Sequence, residues 1–194
     1  NISGQVAITA ITIGSTANNA TSIALSSNTI NNLTSTGTGG NVKGITCSNA
    51  STTININNNT INSLSSTGAS TVSGIEVTGA TLTNVFKNKV YDLSGNNASS
   101  LVNGVLVSGG TTINVTNNLI GDLRNTAANA ANPLIGLSIT GGTTVNAYYN
   151  TVYINGTSSG LLFGSSAVSV STTPTVTLRN NIFVNTGTTN GAAF

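Results

Sequence analysis

A three-residue phrase returns about every 30 residues along this chain. It reads Asn28-Thr29-Ile30, Asn59-Thr60-Ile61, Asn88-Lys89-Val90, Asn118-Leu119-Ile120, Asn150-Thr151-Val152 and Asn181-Ile182-Phe183. Successive Asn are 31, 29, 30, 32 and 31 residues apart. A fixed period of this length means that each unit packs mainly on its neighbours, as in stacked repeat architectures. The whole chain, 1–194, therefore reads as a single solenoid domain, either a segment of a longer chain or a stacking subunit.

Within each unit the apolar residues keep a period of two. The pairs at five and three residues before the Asn are Ile23 and Leu25, Ile54 and Ile56, Thr83 and Val85, Ile113 and Val115, Val145 and Ala147, Val176 and Leu178. The residue between them is Ala24, Asn55, Asn84, Asn114, Asn146 or Thr177. Apolar-in, polar-out alternation over so short a run predicts a strand. The phrase itself and Leu33, Leu64, Leu93 or Leu123 beyond it predict a second strand. A third follows at Gly44–Cys47, Gly74–Val77, Gly104–Val107 and Gly136–Ile139, with Ala167–Val170 in the same slot. Three short strands per coil of about 30 residues, with about six coils, make an all-β parallel solenoid. Its rungs stack about 4.8 Å apart. Helices fail on β-branched content and on the spacing of turn residues. Disorder fails because it would not keep apolar columns in register through six repeats.

The Asn column (Asn28, Asn59, Asn88, Asn118, Asn150, Asn181) is expected at a tight corner, where Asn tolerates the left-handed backbone region and stacked amides hydrogen-bond between rungs. The Gly that opens the third strand is expected at a similar corner.

The stacked Asn corner, the three strands and the phrase Asn-x-Ile resemble the right-handed parallel β-helix repeat of the pectate-lyase-like superfamily. The Asn/Thr/Ser/Gly-rich repeats of proteins that bacteria secrete onto their surface are the more specific likeness. It covers about residues 5–190. The right-handed winding comes from that resemblance, together with the general preference for right-handed parallel crossovers. The resemblance implies a fold shared by enzymes, adhesins and fibres, so it names no activity.

Charge narrows the function classes. Only 4% of residues are charged, against about 25% in ordinary soluble domains. A net charge of +2 makes no basic patch, which argues against nucleic acid as a partner. The surface must be built from the 31 Asn, the 33 Thr and the Ser and Gly. Little repulsion then opposes self-association. No apolar run is long enough for a membrane-spanning helix. The lone Cys47 shares an inward column with Val77, Val107, Ile139 and Val170, and reads as a buried small hydrophobe.

Catalytic chemistry finds few residues to work with. There is no His, so neither a Ser-His-Asp nor a Cys-His arrangement can be assembled within this chain. The acidic residues are Glu76, Asp92 and Asp122. Enzymes of the resembled superfamily use clustered acids, and this chain matches none of their motifs, so no catalytic residue, metal or cofactor is assigned. Asp92 and Asp122 both lie four residues after their Asn and should stack, able to share a cation, with Lys89 and Arg124 nearby. Tyr91 and Tyr153 occupy one outward column with Gly121 between, a spacing suited to sugar stacking. The candidate binding residues are therefore Tyr91, Asp92, Asp122, Tyr148 and Tyr153, with a polysaccharide as the candidate ligand. The pairs Thr52-Thr53, Thr111-Thr112, Thr143-Thr144 and Thr172-Thr173 suggest an ice-binding Thr rank, interrupted at Leu82. Asn-x-Ser/Thr triplets at Asn19, Asn32, Asn49, Asn58, Asn97, Asn114 and Asn155 arise readily in such a composition.

No polar cap is recognisable in the sequence, and it finishes on the apolar Ala192-Ala193-Phe194. Open solenoid ends invite another chain. The leading expectation is a secreted or cell-surface structural solenoid, a fibre, stalk or matrix element that stacks end to end. A carbohydrate-binding adhesin module is the second reading, and a polysaccharide lyase or hydrolase the third.

Overall fold

The structure, a computed structural model, describes residues 2–4, 6–14, 20–48 and 53–188. Thr52, Asn19, Asn49 and the apolar finish lie outside the described residues. What is described is a parallel β-solenoid of about five turns, without a helix. Its strands form four parallel sheets, called A to D in chain order. Sheets B, C and D are six strands deep and sheet A is five. One full coil runs Thr71–Val77 in sheet B, Leu82–Phe86 in sheet C, Lys89–Val90 in sheet D and Leu93–Gly95 in sheet A. This coil is called coil 3. Coil 4 spans Leu101–Val107, Thr112–Thr116, Leu119–Gly121 and Leu123–Arg124. Coil 5 contributes Leu134–Ile139, Thr144–Tyr148 and Thr151–Ile154, and the last rung contributes Ser165–Val170, Thr175–Arg179 and Ile182–Asn185.

The second strand of the sequence reading divides in two. Asn32, Ser63, Asp92 and Asp122, with φ of 57°, 54°, 56° and 50°, break it into the short strands of sheets D and A. In coil 5 and the last rung no such break occurs, and those rungs carry three strands. The Leu column of sheet A (Leu33, Leu64, Leu93, Leu123) ends there too.

The expected columns hold in register. In sheet C, Ile54, Thr83, Ile113 and Val145 align, as do Ile56, Val85, Val115 and Ala147. All eight are buried to within 1%. Ile13, Cys47, Val77, Val107, Ile139 and Val170 make the expected column of sheet B. Cys47 is fully buried within it.

Two expectations about corners are corrected. The left-handed residue at the turn from sheet C to sheet D is not the repeated Asn but the residue before it. That column is Ser27, Asn58, Lys87, Asn117, Tyr149 and Asn180, all with φ between 54° and 59°. The glycines Gly44, Gly74, Gly104 and Gly136 do not turn a corner either. They lie inside the sheet B strands, each facing a sheet D side chain across the core. A Cβ on Gly104 would sit 2.3 Å from Ile120 Cγ2 and 2.6 Å from Gly136 O. On Gly136 it would sit 2.1 Å from Val152 Cγ1. These positions need glycine for close approach of sheet B to sheet D, not for a left-handed φ.

Candidate functional site

The repeated Asn is a cohesive element. Asn59, Asn88, Asn118 and Asn150 are 1–2% exposed, so their amides must find partners inside the protein. Each does. Asn59 donates from its backbone N and from Nδ2 to Asn88 Oδ1, both at 3.0 Å. Asn88 repeats this with Asn118 Oδ1, and Asn118 with Asn150 Oδ1, at 3.0 Å throughout. The second hydrogen of each Nδ2 goes to a carbonyl of the preceding coil: Asn88 to Ile56 O at 2.8 Å, Asn118 to Val85 O at 2.9 Å. Asn28 and Asn181 close the ladder at its ends. Only a short side chain with two donors on one atom and an acceptor on the other meets all these demands.

A second amide ladder runs along the outside of sheet C. Asn84 Nδ2 donates to Asn55 Oδ1 at 2.9 Å, Asn114 to Asn84 at 2.8 Å and Asn146 to Asn114 at 3.0 Å. Its donors point the opposite way along the solenoid from those of the buried ladder. It stops where Thr177 replaces Asn, and there the Tyr148 hydroxyl donates to Asn146 Oδ1 at 3.1 Å.

The acidic candidates do stack. Leu93 pairs with Leu123, so Asp92 and Asp122 are equivalent residues on adjacent coils, and Leu93 N donates to Asp122 O at 3.1 Å. Arg124 joins them, ion-paired with Asp92 Oδ1 and lying 3.3 Å from Asp122 Oδ1. Ser63 Oγ donates to Asp92 Oδ2 at 2.7 Å. The cation shared by this pair is thus the chain's own guanidinium. Lys89 stands on sheet D between Thr60 and Leu119. Among the described residues the other ion pair is Lys43 Nζ with Glu76 Oε2, 2.8 Å apart on sheet B. No cluster of three or more His, Cys, Asp or Glu able to hold a metal occurs among them.

The tyrosines separate onto two sheets. Tyr91 follows Val90, which pairs with Ile120, and Gly121 pairs with Tyr153, so Tyr91, Gly121 and Tyr153 form one outward column of sheet D. The two tyrosine residues are 41% and 45% exposed. Tyr148 belongs instead to sheet C, in a column with Phe86 and Thr116. Sequence reasoning missed Phe86. Phe86, Thr116 and Tyr148 share the position two residues before the ladder Asn, and that shared position was the available signal.

The Thr rank is irregular. Thr53, Leu82, Thr112, Thr144 and Thr175 align, so Thr172 and Thr173 fall outside the column and Leu82 interrupts it.

No protein-family model matches the chain, and neither curated proteins nor solved structures give a significant match. Fold and site define its class as a parallel β-solenoid repeat protein.

Proposed function

We propose that this chain is a structural solenoid, a stalk, fibre or matrix element of a secreted or cell-surface protein. The observation that carries the reading is the buried Asn ladder. Its hydrogen bonds run along the solenoid axis and tie each rung to the next. The outer surface is nearly uncharged, and the acidic pair is engaged by Arg124. A polysaccharide-cleaving role draws no support from that arrangement. Resemblance to the β-helix repeats of the pectate-lyase-like superfamily and of bacterial surface proteins is consistent with an extracellular setting and a right-handed coil.

The last described rung supports association with a second copy. Val170 and Leu178 are 43% and 41% exposed, whereas their column mates Ile139 and Ala147 are fully buried. A further rung laid on Ser165–Val170 and Thr175–Arg179 would bury them and satisfy the edge. Sedimentation velocity over a concentration series tests this. Mass that grows with concentration is the expected result, and a single species at one chain's mass throughout would remove the stacking part of the proposal.

A further inference from the structure

All four tyrosines of the chain, and the outward-facing Phe86, lie on two coils that flank a third. Coil 3 carries Phe86, Lys87 and Tyr91, and coil 5 carries Tyr148, Tyr149 and Tyr153. At the same positions coil 4 carries Thr116, Asn117 and Gly121, which are smaller. Of the remaining phenylalanines, Phe163 is buried, Phe183 belongs to an inward column and Phe194 is outside the described residues. Aromatic walls on both sides of a low coil make a groove that runs round the solenoid, across its axis.

Two clefts mark the part of this groove at the turn from sheet C to sheet D. One, of about 440 Å³, is lined by Phe86, Thr116, Tyr148 and the amides Asn55, Asn84 and Asn114. The other, of about 360 Å³, is lined by Phe86, Lys87, Thr116, Asn117 and Tyr149. They meet over Thr116. Gly121 continues the low coil onto sheet D, where a Cβ would meet only Tyr153 O, at 3.4 Å.

We propose that this groove binds a polysaccharide, with pyranose rings seated between the aromatic residues of coils 3 and 5. The inference stands on the fold and on these side chains, not on the structural reading above. Columns two rungs apart are separated by about 9.6 Å. A flat ring clasped between two others needs about 7–8 Å, from two contacts of 3.5–4.0 Å. A puckered saturated ring is thicker and takes up the difference. Its C–H face packs on an aromatic face, while its equatorial hydroxyls reach the groove floor. The floor there offers the Thr116 hydroxyl, the Asn117 amide and the outer Asn ladder, a mixture of apolar walls and a few convergent polar groups typical of small-ligand sites. The Tyr148 ring is held in place by its hydroxyl's bond to Asn146, which lowers the ordering cost of binding. Lys87 and Lys89 stand on the coil 3 wall, and among the described residues neither is in an ion pair with a carboxylate.

Affinity electrophoresis of the intact chain tests the proposal. The gels carry soluble glucan, galactomannan, xylan or polygalacturonate. Retardation by at least one polymer is expected. Phe86→Ala and Tyr148→Ala should each weaken it about tenfold or more, the effect of losing a central aromatic anchor. Thr116→Trp fills the gap between the walls and should abolish it, whereas Leu101→Ala on sheet B should leave it intact. Each variant is first shown to keep the parent's unfolding midpoint. Retardation by polygalacturonate alone, lost in salt, would assign the ligand through Lys87 and Lys89; salt-insensitive retardation by a neutral polymer would assign it through stacking. Unretarded migration in every gel overturns the proposal, as does retardation unchanged by Thr116→Trp.

Discussion

At the scale of single residues, the repeated Asn shows how one side chain can serve a whole fold. The side chain of an interior ladder residue donates two hydrogen bonds and accepts two, and its backbone N donates a third, all out of reach of water. Asn88→Ala leaves the backbone N of Asn59 and one of the two hydrogens on its Nδ2 without partners, and takes a hydrogen bond from the carbonyl of Ile56. An orphaned buried group costs about 1–3 kcal/mol, so the loss should be about 3 kcal/mol or more. Urea unfolding should show a large fall in midpoint. Asn181→Ala, on the last described rung where water reaches the amide, should cost clearly less. Equal midpoints for Asn88→Ala and the parent would deny the ladder its role.

The glycine column makes a second residue-scale prediction. Gly104→Ala forces a methyl against Ile120 and the Gly136 carbonyl. Overpacking of this kind costs about 1–3 kcal/mol, which thermal unfolding would read as a lower Tm.

At the scale of elements, the strands were legible in the sequence and the corners were not. Alternation such as Ile54-Asn55-Ile56 marks which side chains face inward, because a strand's period of two admits no other register. The corner from sheet C to sheet D left no such mark. Its left-handed position is filled by Ser27, Lys87 and Tyr149 as well as by Asn58, Asn117 and Asn180. The conspicuous Asn sits one residue later for its hydrogen bonds, so a rule about turn propensity pointed at the wrong neighbour. Lys87 bears a left-handed φ of 56° without glycine's freedom or Asn's tolerance. Lys87→Asn should therefore stabilise the chain by about 0.5 kcal/mol. Lys89→Asn on the adjoining strand should not. A chemical-denaturation midpoint for each variant decides the matter.

The candidate site was legible to the same extent. The columns of Tyr91 with Tyr153 and of Asp92 with Asp122 followed from counting forward from the ladder Asn, since the coils place the same number of residues between that Asn and each column. Their chemistry did not follow. Nothing in the spacing showed Arg124 reaching back across a coil to Asp92, because side-chain reach is not a property of register. Phe86 was invisible as a site residue until sheet C placed it two rungs from Tyr148 with Thr116 between.

At the scale of the whole molecule, cohesion is axial. Backbone ladders, two amide ladders and the apolar columns all run from rung to rung, and each coil contacts mainly its neighbours. An architecture of this kind grows by adding rungs. A charged residue on an exposed inward position of the last described rung should stop that growth. Leu178→Lys places an ammonium where the next rung's apolar column would sit, and should hold the protein at one chain's mass under conditions in which the parent associates.

Electron microscopy of the unlabelled parent protein over a range of concentrations tests the account most directly. Unbranched filaments are predicted, with a diffraction spacing near 4.8 Å along the filament axis from stacked rungs. Their subunit repeat should be about 29 Å, six rungs of that spacing. Discrete particles at every concentration, or filaments whose 4.8 Å spacing lies across the axis, would contradict a solenoid built to extend along its own stack.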